Sequence, residues 1–374
     1  MTDSIYFASL LPWQQNLWSQ LTARVLAPAQ SLPHALLAAG MQGMGKRAFV
    51  WRLVAWLLCH NRDQSPLGAC GHCDSCQWLK SGTHPSLQVL PTISMPINAA
   101  THDSHAALKS SNKSKTASTL TSNQATKTAV KGLLTIKIDD IRALQPFIYQ
   151  GGQGMRICVL DHAEQMTVAA ANALLKTLEE PQAQVHLFLI SDSPAKLLPT
   201  IKSRVQQLPL QSIKPKLAHD YVTDALGSTI HREAVSPSQI EQLLQMANGA
   251  PLAAIDLAQA DWYNKRALWL TTWQALKQGK RSSIAASDYW QSQLSIQDFI
   301  KLTETMLLDI QRLNAGFDSQ QKDIELAVAV ATNQPDSHAL DTLSADLQQI
   351  KVALQQNVQE KYAYDKLMQQ LAQL

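Results

Sequence analysis

A chain of 374 residues, 45% hydrophobic and 16% charged, is long enough for two or three domains, each with its own core. Its formal charge of +3 permits contact with nucleic acid but lacks the marked basic excess of a dedicated DNA binder. No apolar run reaches the roughly eighteen residues that a membrane helix needs. Met1 to Ser9 also lack a basic stretch followed by an apolar one, so a cytoplasmic protein with no membrane association is expected.

In chain order, Ala35 to Ala39 predicts a buried strand ending at Gly40. The segment Gly40-Met-Gln-Gly43-Met-Gly45-Lys46-Arg47 follows and opens a helix over Lys46 to Cys59, where Phe49/Val50, Leu53/Val54 and Leu57/Leu58 recur at helical spacing. A strand, a glycine-rich turn and a helix form the context in which G-x-x-x-x-G-K-[ST] cradles phosphates with backbone N–H groups and a helix N-terminus. Gly40, Gly43, Gly45 and Lys46 fit that pattern. Arg47 does not, because a guanidinium has no lone pair to offer Mg²⁺ where the motif supplies a hydroxyl. A glycine-rich turn kept only for packing is the plainer alternative.

Cys59, Cys70, Cys73 and Cys76 come next, four of the chain's five cysteines within eighteen residues. Such spacing suits tetrahedral Zn²⁺, and a four-thiolate shell leaves no open position for a reactive water, so a structural site is expected. An iron–sulfur cluster and free thiols are the alternatives. His60, His72 and His84 lie near enough in sequence to substitute as ligands. From about residue 95 to 132 the pattern gives way to Ser, Thr, Asn, Ala and Lys, which predicts a disordered insertion. Its Lys109, Lys113, Lys115, Lys127 and Lys131 could touch a phosphate backbone, although a solvated linker is the simpler reading.

Ile157 to Leu160 is a second apolar run and ends in Asp161, with Cys158 inside it as a small buried hydrophobe. It has the form of a Walker B strand, but His162 stands where a carboxylate would polarise the attacking water, and Glu164 lies too far along to replace it unless the backbone is rearranged. A helix over Ala169 to Glu180 stops at Pro181, and Val185 to Ile190 is a third strand. Strands alternating with helices imply a parallel sheet covered on both faces. After about Pro209 only helices are expected, one of them opened by a capping box of Ser295 and Asp298.

These residues resemble a known family. Cysteines placed after a phosphate-loop helix, Asn172-Ala-Leu-Leu-Lys-Thr-Leu-Glu-Glu-Pro181, and Lys202-Ser203-Arg204-Val205 are similar to the bacterial clamp-loader AAA+ subunits, the gamma/tau and delta-prime branches. Pro12-Trp13 and Gly82-Thr-His-Pro85 resemble the delta-prime branch in particular. The likeness spans about residues 10–93 and 133–260, and only helical character matches beyond. It implies an AAA+ α/β domain over 1–208 with the zinc module (59–76) inserted, a helical lid over 209–260 and an all-helical collar over 261–374. It further implies a subunit of a hetero-pentamer with gamma/tau and delta, which places a sliding clamp on primed DNA. Arg204 aligns with the arginine finger that such a subunit gives to its neighbour's ATP, a surface arginine ending a strand being the alternative. Leu252 falls where an ATPase of the family has arginine. With Arg47 and His162, that makes three missing parts, so ATP is expected not to be bound or not to be hydrolysed. The competing readings are an active gamma/tau-like ATPase, for which Lys46 speaks, and a zinc-dependent DNA-binding regulator.

Overall fold

The structure is a computed structural model that describes residues 5–27, 32–92, 135–149, 154–210, 212–227, 235–356 and 358–374. The expected insertion at about 95–132, with its lysines, lies outside the described residues. The chain divides into two compact units, the first ending at Leu217 and the second running from Ala218 to Leu374.

In the first unit, α1 (Gln15–Leu26) precedes β1 (Ala35–Ala39), α2 (Lys46–Leu58), α3 (Asp74–Ser81) and β2 (Leu87–Leu90). Then come α4 (Ile138–Tyr149), β3 (Arg156–Leu160), α5 (Val168–Glu179), β4 (Val185–Ser191), the short α6 (Pro199–Lys202) and β5 (Gln206–Gln207). All five strands are parallel, in the order β2-β3-β4-β1-β5. Period-two alternation sends the two sides of each strand into separate cores. Leu36, Ala38, Phe188 and Ile190 join Phe49, Val50, Leu53 and Trp56 of α2 on one face. Ala35, Leu37, Leu187, Leu189 and Cys158 join Ile141 and Leu144 of α4 and Ala170 and Leu174 of α5 on the other. The three strands expected from sequence lie where they were placed, β3 and β4 each one residue longer.

The central strands β3, β4 and β1 are neighbours, so Asp161, Asp192 and Gly40, each directly after its strand, emerge side by side at the carboxyl edge of the sheet. Backbone bonds fix this alignment: Gly40 N–H donates to Ser191 O (3.2 Å) and Asp161 N–H to Leu90 O (2.8 Å). In open parallel sheets that edge is where ligands bind.

The second unit contains only helices among its described residues. From α7 (Pro215–Gly227), which begins just before the division, the order is α8 (Pro237–Met246), α9 (Pro251–Gln259), α10 (Asp261–Asn264), α11 (Arg266–Lys277), α12 (Ser283–Gln293), α13 (Ile296–Asn314), α14 (Leu326–Asn333), α15 (Ser337–Gln355) and α16 (Glu360–Gln373). Two apolar clusters form within it. The smaller gathers Val222, Leu226, Ile240, Leu243, Ala254 and Tyr263. The larger is built on Trp269, Trp273, Trp290, Phe299 and Tyr364. The expected capping box at Ser295 is half formed: Ser295 Oγ accepts from Asp298 N–H (3.2 Å) but turns its hydroxyl onto Asp298 Oδ2 (2.8 Å). Aspartate is one methylene shorter than the glutamate of the motif and does not return the bond. The complete box is at Ser236 and Gln239, with Pro237 at the first helical position.

A polar knot lies beside the two clusters. Arg266 grips Asp323 with both fork nitrogens (3.1 and 2.5 Å), donates through Nε to Tyr263 O (2.8 Å) and stacks 3.5 Å from the Tyr263 ring centre. Gln242 of α8 donates to the same Asp323 Oδ1 (2.5 Å). Although burial opposes ionisation, the Arg266 and Gln242 donors hold the Asp323 carboxyl below its usual range. Asp323→Ala is expected to destabilise the second unit by about 3 kcal/mol, because it strands a buried guanidinium. Urea unfolding of the full chain would measure the loss.

Candidate functional site

The turn after β1 is glycine-rich and leads directly into α2. Gly43 and Gly45 have φ of 87° and 77°, a region glycine enters without strain, and Gly45 caps the N-terminus of α2. A Cβ on Gly45 would lie 2.2 Å from Leu11 Cδ1, the tip of a side chain that can move aside, so the left-handed backbone is what calls for glycine there. The segment before α1 is fastened to this turn. Trp13 Nε1 donates to Met44 O (3.0 Å) and Gln14 Nε2 to Gly45 O (2.9 Å).

The side chains that would meet a nucleotide are engaged with one another. Lys46, 3% exposed, donates its ammonium to Asp192 and to Met41 O (3.0 Å). Burial pushes Lys46 below the usual lysine range even though Asp192 opposes the shift. Arg47 Nε donates to both oxygens of Asp161 (2.9 and 3.2 Å), Nη1 pairs with Asp192 Oδ2 (2.7 Å), and Nη2 lies 3.1 Å from His162 Nδ1. Burial works against the Arg47 charge, but Asp161 and Asp192 outweigh it and raise its pKa.

Glu164 departs from expectation. His162 adopts φ 52°, ψ 45°, and a short 3-10 turn over Ala163–Gln165 follows, which swings Glu164 back into the site. Its Oε1 is 3.9 Å from His162 Nδ1, and one ligand atom each of His162, Glu164 and Asp192 lie within 4.8 Å of one another. Burial would raise this carboxyl, but the His162 ring, its own backbone N–H and Ser191 outweigh it and hold it at about 2. So acidic a carboxyl is a weak base at neutral pH. Because the folded pKa lies below the ordinary 4.5, the stabilisation is complete above about pH 4.5 and is lost as pH falls toward 2. Glu164→Gln is therefore expected to flatten the loss of stability between pH 5 and 3, read as the urea midpoint at each pH.

The four cysteines meet at the far end of α2. Cys59 caps that helix, Cys73 is the N-cap of α3, and Cys76 sits in its first turn. Sγ–Sγ distances are 3.9 Å for Cys59–Cys73 and for Cys70–Cys76, and all four sulfurs lie within 4.8 Å of one another. A tetrahedron with metal–sulfur bonds of about 2.3 Å has edges of roughly 3.8 Å, so this donor set can hold a metal ion. Backbone N–H groups already aim at the sulfurs, Cys70 N–H at Cys59 Sγ and Cys73 N–H at Cys70 Sγ, each at 3.4 Å. His84 is turned elsewhere. Its Nδ1 takes the Ser86 N–H (3.1 Å), its Nε2 meets Ser75 Oγ (2.9 Å), and burial pushes the ring down to about 4. The loop is tied to α2 by Arg52, which donates to Leu67 O and Ala8 O, and by Trp56 Nε1, which donates to Ser65 O (2.9 Å).

Arg204 stands apart from both centres, just after α6. Its Nη2 pairs with Glu179 Oε1 of α5 (2.8 Å) and its Nη1 donates to Thr200 O (3.0 Å), with the side chain 37% exposed. Leu252 lies in the second unit, in the first turn of α9. Asp192, Glu164 as a site residue, and the Trp13–Gln14 clasp were missed in the sequence. Asp192 carried a signal, being the first charged residue after a buried apolar strand.

Fold and site together define an α/β protein with a five-stranded parallel sheet, whose charged groups at the carboxyl edge are paired with one another, and with four cysteines clustered at the other end of α2. A family model described as DNA polymerase III, delta subunit, matches residues 13–214, and the chain belongs to that family. It is 38% identical to the DNA polymerase III subunit delta' of Pseudomonas aeruginosa over 252 residues, 66% of this chain and 61% of the relative. With the subunit delta' of Yersinia pestis it shares 30% over 257 residues, 68% of this chain and 62% of the relative. With that of Escherichia coli it shares 27% over 354 residues, 92% and 89%. The matches thus span about three fifths of the first two relatives and most of the third. A gamma subunit-related protein of Thermotoga maritima aligns with a TM-score of 0.40 at 15% identity, over 96% of this chain and 99% of that one. Among the described residues no helix is long and apolar enough to cross a membrane.

Proposed function

We propose that this chain is the stator-like subunit of a DNA polymerase III clamp loader, holding the delta-prime place and not hydrolysing ATP itself. The observation that carries this reading is the set of ion pairs filling the phosphate-loop mouth: Lys46 on Asp192, and Arg47 on Asp161 and Asp192. A lysine committed to a carboxylate must give that bond up before it can meet a phosphate, and Arg47 contributes no lone pair for Mg²⁺. The names of the relatives support the clamp-loader assignment. In this role the chain joins gamma/tau and delta in a cytoplasmic hetero-pentamer that opens a sliding clamp on primed DNA, and Arg204 is its arginine finger. Three domains serve that role: an AAA+ α/β domain over 1–208, a lid over 209–260 and a collar over 261–374. The two separate apolar clusters of the second unit support the split between lid and collar. The four cysteines hold a structural Zn²⁺, for which the sulfur spacing and the N–H donors aimed at the sulfurs speak.

Titration of the purified chain with Mg·ATP, followed by a turnover assay, tests the central claim. Neither micromolar affinity nor steady conversion to ADP is expected. Magnesium-dependent turnover by the chain alone would favour an active gamma/tau-like ATPase instead.

A further inference from the structure

We infer that Arg47 is a built-in cation standing in the place of a divalent ion, and that it keeps this pocket closed to metals. Three carboxylates, Asp161, Asp192 and Glu164, gather at the carboxyl ends of β3 and β4, and the Asp161 and Glu164 side chains are each 5% exposed. Three such charges cannot share a low-dielectric space without countercharge. Two cations answer them, Lys46 and Arg47, and only Arg47 reaches both aspartates, its planar fork spanning Asp161 on one edge and Asp192 on the other. Glu164 Oε2 is buried and has no hydrogen-bond partner, so the pocket still holds one unused anionic ligand atom. His162, Glu164 and Asp192 already present ligand atoms within 4.8 Å of one another, close enough for one metal ion to bind all three. The donor set of a cation site is therefore assembled, and a guanidinium is sitting in it.

Taking Arg47 away changes the balance from three carboxylates against two cations to three against one. Arg47→Ser does this and also supplies the hydroxyl that a phosphate loop normally gives to its metal. A divalent ion should then bind. This inference concerns the pocket alone and does not depend on the chain's place in any assembly.

Thermal unfolding of the full chain, in buffer free of divalent ions and again with about 10 mM MgCl₂ or MnCl₂, is the test. The wild-type Tm is expected to be indifferent to the added ion. Arg47→Ser should melt lower in the metal-free buffer and recover when Mg²⁺ or Mn²⁺ is added. For an ion at about ten times its Kd, the ratio of folded to unfolded chain rises roughly tenfold. Arg47→Ser with Asp192→Asn, which removes one of the three clustered ligands, should lose most of the response. Should Arg47→Ser fail to accumulate as folded protein, Arg47→Gln, which keeps part of the length and an amide donor group but no charge, is expected to show the same metal-dependent shift. A variant as stable as wild type and unresponsive to divalent ions would overturn the inference. Equal Mn²⁺ binding by wild type and variant would do the same.

Discussion

Arg204→Ala, assembled with gamma/tau and delta partners, is expected to leave the complex intact and to cut ATP turnover at the neighbouring site by about 10³-fold or more. An arginine aimed at a transferring phosphoryl group neutralises charge that exists only in the transition state, which is why its removal acts on rate rather than on assembly. Arg204 is suited to that work: it follows a short helix, is partly exposed, and its guanidinium is held by Glu179 and Thr200 O rather than being left to wander. Arg204→Lys is not expected to rescue, since an ammonium cannot reproduce the two-pronged geometry. Glu179→Gln should alter turnover by less than about fivefold, because an ion pair this exposed is worth under ~1 kcal/mol. Single-turnover measurements with clamp and primed DNA separate the one affected site from the others. Unchanged rates in a fully assembled complex would remove Arg204 from the chemistry.

The second large effect is expected at the cysteines. Cys76 is fully buried, and serine in its place offers a hydroxyl that stays protonated where a thiolate is needed. Cys76→Ser should lower the zinc content from about one ion per chain to near none. It should also forfeit a sizeable share of the roughly 10–16 kcal/mol that a structural zinc contributes in small domains. Because Arg52 and Trp56 join the loop to α2, faster amide exchange should appear from residue 59 to about 82 while the sheet stays protected. Cys158→Ser is the control: Cys158 packs in the core on the other face of the sheet, and the variant should keep its metal. A Cys76→Ser chain that retains stoichiometric zinc would contradict the assignment.

Much of this molecule could be read from its residues because burial on both faces leaves a plain mark. Ala35–Ala39 and Val185–Ser191 are apolar almost without interruption, and helix α2 repeats its apolar pairs at Phe49/Val50, Leu53/Val54 and Leu57/Leu58. What escaped was written in shorter signals. Strand β2 is four residues long with one exposed glutamine, and β5 consists of two exposed glutamines held only by pairing with β1. The place of Glu164 depended on a left-handed backbone at His162, a conformation that a histidine in sequence does not announce. The contacts of Trp13 and Gln14 with Met44 and Gly45 join positions 31 apart, beyond the reach of any local pattern. Lys46 was placed correctly on its helix, yet its partner Asp192 lies 146 positions away.

Leu11 and Gly45 are distant in sequence and close in space. A side chain added at 45 would press on the tip of Leu11, a half-buried side chain that can turn aside, so what holds glycine at 45 is its left-handed backbone, φ 77°. A lineage regaining a working nucleotide pocket could keep Gly45, which the phosphate-loop pattern also has, but would have to replace Arg47.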